Sequence, residues 1–216
     1  MTFREVNESV KAYESQFNRD SGSVTLIAVS KVQPVEKIEK VLGAGHKDFG
    51  ENRVQEALSK WPALKEKYGN INLHLLGPLQ TNKVDQALSI FDVIHCLDRE
   101  KLALKLASKL QKIRKRVEFF VQVNFENEVQ KAGIPVENLD GFVRMCIERC
   151  GLSVSGLMCI PPIDKNPEKY FQELKVLAKR NGLSQLSMGM SADYGKAIGC
   201  GATHIRVGTA IFGSRE

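Results

Sequence analysis

Lys31 stands at the end of an apolar run, LIAVSK at residues 26–31, and Pro34 follows three positions on. A primary amine held where a buried strand runs out can attack an aldehyde, provided its charge is suppressed by burial or by a neighbouring cation. Two other stretches carry anion-binding chemistry. In IRVGTAIFG, residues 205–213, Arg206 is followed by Gly208 and Thr209; in SMGMSAD, residues 187–193, Gly189 precedes Met190 and Ser191. A glycine lets backbone N–H groups approach an anion, and a helix start adds its dipole. Taken singly, each is also an ordinary feature: a solvated lysine, or a tight turn. What decides between the readings is whether one fold brings them together.

The elements that would position them alternate along the chain. Short apolar or β-branched runs predict strands at 24–30, 47–50, 72–77, 92–97, 117–123, 153–160, 186–190 and 203–208. Continuous runs of this length suit parallel strands buried on both faces. Between them lie amphipathic segments. ENRVQEALSKWPALKEKY spaces Val54, Ala57, Leu58, Trp61 and Leu64 on one helical face, and DREKLALKLASKLQKI repeats leucines behind Asp98 as the predicted N-cap. NLDGFVRMCIERCG and NPEKYFQELKVLAKRNG each end at a glycine suited to a C-cap. The first twenty residues predict a further, polar amphipathic helix.

Eight strands with intervening helices predict an α/β fold: a (β/α)8 TIM barrel with an additional N-terminal helix, with an open doubly wound sheet as the alternative. In either, ligands gather where the parallel strands end. Lys31 is at the first exit, Ser191 at the seventh and Gly208–Thr209 at the eighth. Closure would pair the first strand with the last and put Lys31 beside Arg206. An amine, a guanidinium and two glycine turns then suit a ligand that carries both an aldehyde and a phosphate, as pyridoxal 5'-phosphate does.

Six blocks occur in order across nearly the whole chain: VTLIAVSKVQP, FGENRVQEA, HLLGPLQTNK, GLMCIPP, LSMGMSADYGKAI and RVGTAIFGSRE. With them the sequence closely resembles the pyridoxal-phosphate homeostasis proteins, relatives of the N-terminal barrel of alanine racemase. The resemblance implies that Lys31 carries pyridoxal 5'-phosphate as a Schiff base and that Arg206 faces the pyridine nitrogen. It implies that Ser191, Gly208 and Thr209 hold the phosphate, that Asn52 lies near the ring and that Met190 lines the pocket. The implied function is vitamin B6 homeostasis: the cofactor is buffered or delivered, with apo-forms of pyridoxal-phosphate enzymes as recipients. A weak amino-acid racemase is the alternative, and a phosphosugar enzyme using Lys31 is a third reading. Against strong catalysis, an arginine at the ring nitrogen disfavours the protonated ring that stabilises carbanions. The racemase's opposing tyrosine also comes from a second domain, which is not expected in a sequence ending at Glu216.

Other residues carry weaker signals. His74 reads as a core histidine with one hydrogen bond, and Glu51 and Glu56 either as acids near the pocket or as first-turn residues of a helix. Lys83 and Lys131 fall on loops that could flank the entrance, and Asp193 and Tyr194 read as a helix start. Five cysteines without a C-x-x-C pair and four scattered histidines suggest neither disulfides nor a metal site. Composition is that of a globular protein, 43% hydrophobic and 26% charged, with no apolar run of membrane length. The net charge of +6 comes without an RNA-binding motif, so no nucleic-acid partner is expected. No signal peptide is recognisable, and the expectation is one cytoplasmic, monomeric domain over residues 1–216 without membrane association.

Overall fold

A computed structural model describes residues 1–126 and 132–213. Among these described residues nine strands form one parallel sheet: β1 (Thr25–Val29), β2 (Asp48–Glu51), β3 (Asn72–Leu75), β4 (Val93–Leu97), β5 (Glu118–Asn124), β6 (Ile134–Pro135), β7 (Val154–Cys159), β8 (Gln185–Met190) and β9 (His204–Val207). The pairing runs from β4 through β3, β2, β1, β9, β8 and β7 to β5, and β4 pairs again with β5. Eight strands therefore close into a barrel, and the open-sheet alternative is set aside. Among the described residues the two-residue β6 pairs only with β5, and it falls between the fifth and sixth expected apolar runs. All eight barrel strands coincide with the expected apolar runs to within two residues.

The helices follow the same alternation: α1 (Phe3–Gln16), α2 (Val35–Gly43), α3 (Val54–Tyr68), α4 (Val84–Ile90), α5 (Glu100–Leu110), α6 (Leu139–Arg144), α7 (Pro167–Arg180), α8 (Tyr194–Gly199) and α9 (Thr209–Phe212). α6 continues as a π-helical turn over Met145–Arg149. Gly151 and Gly182, just beyond two of the helical segments, take positive φ as their C-terminal position requires. Asp98 is not the N-cap of α5; Arg99 occupies that position, and Asp98 accepts a hydrogen bond from its guanidinium. The N-terminal helix α1 starts with a reciprocal capping box between Thr2 and Glu5. It buries Val6 and Val10 and packs on α8 and α9, the elements flanking β9.

Two separate cores result. The larger lies between strands and helices and includes Trp61, Phe49, Phe91 and Phe171, all fully buried. Each such side chain contributes roughly 1.5–3 kcal/mol relative to leaving it in water. Inside the barrel the apolar cluster is small: Val93, Phe120 and Met158. Much of the rest of the lumen is polar, and side chains of non-adjacent strands meet there. His95 of β4 reaches Ser187 of β8 at 2.9 Å, and the rings of Phe120 in β5 and His204 in β9 lie 5.0 Å apart. Branched aliphatic residues usually fill such a lumen. Among the described residues no helix is long and apolar enough to cross a membrane.

Candidate functional site

A cavity of about 330 Å³ opens where the parallel strands end. Its lining gathers the segments after β1, β2, β3, β7, β8 and β9, at the end of the barrel where such folds place their ligands. Lys31 and Asn52 line it from one side, and Met190 and Ser191 from another. Arg206, Gly208 and Thr209 complete the set, so the seven residues that the resemblance set around the cofactor share this one cavity. Val29, Gln33, Leu76, Ile160, Ala192 and Gly213 line it as well. Sequence reasoning missed those six. All six lie inside the quoted blocks, but nothing in their types marked them as functional.

The turn carrying Lys31 is held by α3. Val32 has φ +61°, a left-handed conformation rarely adopted by β-branched residues. Its backbone N–H donates to Glu56 Oε1 at 2.5 Å. Lys60 Nζ donates to the Ser30 carbonyl at 3.1 Å and lies 2.8 Å from both Glu56 Oε1 and Glu51 Oε1. Ser30 Oγ and Trp61 Nε1 donate to the same Glu51 oxygen at 2.8 and 3.1 Å. Both residues flanking Lys31 are therefore tied to one buried charge cluster. Glu51 ends β2 rather than starting a helix, while Glu56 does sit in the first turn of α3. Burial raises the Glu51 carboxyl above its ordinary pKa, against the opposing pull of Lys60, Ser30 and Trp61.

The remaining exits are shaped by close approach. A side chain on Gly77 would sit 2.4 Å from the Asn52 carbonyl, so the glycine of HLLG lets the third exit pack against the second. Gly189 takes φ +91°, and a Cβ there would come within 2.5 Å of Ala197 Cβ on α8. That contact brings α8 close to the end of β8. Asp193 Oδ1, at the N-cap of α8, accepts the Met190 N–H at 2.6 Å and folds the Met190–Ser191 turn back on itself. Gly208 and Thr209 form the N-cap and first residue of α9, whose leading N–H groups have no preceding turn to bond.

Arg206 is the buried cation of the site, 6% exposed. Nη1 donates to Ser187 Oγ and Nη2 to the Cys159 carbonyl, both at 2.8 Å. Among the described residues no carboxylate forms an ion pair with it. Desolvation pulls its pKa down, although a guanidinium stays charged. β1 pairs with β9 as closure demands, but the register sets Ile27 opposite Arg206. Lys31, four residues further along, shares the cavity with Arg206 from the level of the exit turns. The Cys159 thiol nearby is pushed up to about 12 by burial.

The weaker candidates separate. His74 is buried with two polar partners, His95 and Asp48, rather than one. Lys83 ends a 3-10 turn and does not line the cavity. Lys131 lies outside the described residues. Asp193 and Tyr194 open α8, and the Tyr194 hydroxyl donates to Ser9 Oγ on α1. Among the described residues no three His, Cys, Asp or Glu side chains cluster as metal ligands.

Comparison with known proteins agrees with this architecture. The family described as alanine racemase, N-terminal domain, matches residues 13–216. The pyridoxal phosphate homeostasis protein of Aquifex aeolicus is 37% identical over 220 residues, covering 98% of this chain and 96% of its own. The structure of PipY from Synechococcus elongatus with pyridoxal phosphate bound superposes with a TM-score of 0.83 at 34% identity, covering 96% of this chain and all of that one. The crystal structure of an unknown protein from Bifidobacterium adolescentis gives a TM-score of 0.89 at 29% identity, covering 97% of this chain and 92% of its own. Matched along nearly its whole length at such identities, the chain belongs to the pyridoxal phosphate homeostasis protein family, built on the barrel of the alanine racemase N-terminal domain.

Proposed function

We propose that this chain binds pyridoxal 5'-phosphate at the barrel mouth through Lys31 and buffers or delivers it, acting as a single cytoplasmic domain and as a monomer. The observation that carries the reading is the donor set of one cavity: an amine, a buried guanidinium, and hydroxyl and N–H donors at two exit turns. These residues fit the cofactor's functional groups. When bound, pyridoxal 5'-phosphate supplies an aldehyde that condenses reversibly with a primary amine, water leaving and returning. Lys31 Nζ would be that amine, on a turn whose neighbours Ser30 and Val32 are fixed by Lys60 and Glu56. Ser191, Gly208 and Thr209 would take the phosphate by hydroxyl and backbone N–H donation. Asn52 and Met190 would flank the ring.

Arg206 would face the pyridine nitrogen. A guanidinium offers only donors and cannot accept a proton, so it would keep that nitrogen unprotonated. The site therefore favours holding over strong catalysis, with apo-forms of pyridoxal-phosphate enzymes as recipients. The homeostasis name of the Aquifex relative and the ligand in PipY support the reading. The test measures two things on protein saturated with pyridoxal 5'-phosphate: interconversion of L- and D-alanine, and activation of an apo-aminotransferase. The reading predicts negligible racemisation and recovery of aminotransferase activity. Steady turnover of alanine that disappears in Lys31→Ala would overturn it in favour of a racemase.

A further inference from the structure

Four hydrogen bonds run through the barrel lumen in one unbroken line. Arg206 Nη1 donates to Ser187 Oγ at 2.8 Å, and Ser187 Oγ lies 2.9 Å from His95 Nδ1. His95 Nε2 is 3.0 Å from His74 Nδ1, and His74 Nε2 is 3.3 Å from Asp48 Oδ1. Ser187 and His95 are wholly buried and His74 nearly so. Asp48 is the first residue of β2, so its partly exposed carboxylate lies toward the end of the barrel opposite the cavity.

The polarity of this line follows from elementary donor and acceptor rules. A guanidinium can only donate and a carboxylate can only accept. A neutral imidazole has one of each, and complete burial of His95 keeps its ring neutral. At the far end Asp48 can only accept, so an imidazole at His74 with a single N–H carries it on Nε2 and accepts at Nδ1. His95 then donates from Nε2 to His74 Nδ1, its own Nδ1 accepts the Ser187 hydroxyl proton, and the Ser187 oxygen accepts from Arg206. With one proton on each ring, no other assignment satisfies all four contacts. His95 is further fixed by stacking on Phe120, with ring centroids 4.4 Å apart and planes 4° from parallel.

We propose that Ser187, His95, His74 and Asp48 are positioning residues for the cofactor site, acting through Arg206. The line orients the guanidinium and couples its charge to a carboxylate at the far end of the barrel. The effect on the cofactor rests on the functional reading above; the line itself does not. Hydrogen bonds in such a chain polarise one another, so each donor strengthens the acceptor behind it. A lumen built only to be filled would be served by aliphatic side chains, without desolvating four polar groups.

Two measurements test this and separate it from the cofactor reading. Nitrogen-15 spectra of the histidine rings, recorded without added cofactor, should show His74 and His95 both protonated at Nε2. Ser187→Ala should shift the His74 ring nitrogens, which it does not touch, and Ser187→Thr should restore them. Protonation of either ring at Nδ1, or an effect of Ser187→Ala confined to His95, overturns the line. In the second measurement, Asp48→Asn should weaken pyridoxal 5'-phosphate binding by roughly two- to tenfold, the worth of one hydrogen-bond interaction. The same change should move the visible absorbance band, while Asp48→Glu leaves it in place. Unchanged affinity and band in Asp48→Asn overturn the positioning role alone. A wild-type protein that binds no cofactor overturns that role together with the functional reading.

Discussion

The backbone N–H of Val32 donates to Glu56 Oε1 at 2.5 Å, so the helix after the second strand holds the turn that presents Lys31. The turn needs such a partner because Val32 has φ +61° and is 70% exposed, with little packing of its own to offset the unfavourable backbone. Asparagine tolerates this conformation better than a β-branched residue. Val32→Asn should therefore stabilise the fold by about 1 kcal/mol, read as a higher urea midpoint. A lowered midpoint would show that the backbone there is not strained.

Lys60 neutralises a carboxylate that is otherwise buried. Lys60→Met should cost about 3 kcal/mol, because removing one partner leaves a buried charge uncompensated. Burial is the main cause that raises the Glu51 pKa above 4.5, so its contribution to stability is fully present below that value and lost as pH rises through the raised one. Without Lys60 the folded value moves higher still. The variant's deficit should then grow between about pH 5 and about pH 8, and Glu51→Gln should remove that growth. Urea unfolding at the two pH values checks this; a pH-independent deficit would contradict it.

Gly189→Ala should destabilise the protein and weaken pyridoxal 5'-phosphate binding together. The new Cβ would meet Ala197 Cβ at 2.5 Å in a backbone conformation of φ +91°, and relief would shift the turn bearing Ser191. The expected cost is roughly 2–3 kcal/mol. Urea unfolding and a cofactor titration on one preparation test this. Lost stability with unchanged affinity would separate Ser191 from binding.

Much of this arrangement was legible in the sequence because parallel strands buried on both faces leave continuous apolar runs, such as LIAV and FFVQV. Each run's end located an exit, and the ring of exits brought Lys31, Ser191 and Arg206 to one cavity. The lumen was not legible. His95 and Ser187 are 92 residues apart, and a histidine inside an apolar strand looks the same whether it fills space or links two others. Asp98 looked like a helix cap because capping depends on type, yet the helix begins one position later. Glu51 similarly carried no sign that Trp61 and Lys60 would converge on it.

The cysteines should be protected by folding. Burial raises the thiol pKa at all five positions, and only Cys200 is partly exposed. In the native protein at most one thiol should react rapidly with an aromatic disulfide reagent, and all five should react after unfolding. Two or more fast thiols in the native state would contradict the packing described here.

The most direct test of the central claim is borohydride reduction of the protein mixed with pyridoxal 5'-phosphate, followed by peptide mass mapping. The account predicts a yellow protein whose chromophore becomes fixed to the peptide containing Lys31, and no such fixation in Lys31→Ala. A colourless protein, or a modification that falls on other lysines and leaves Lys31 untouched, would contradict it.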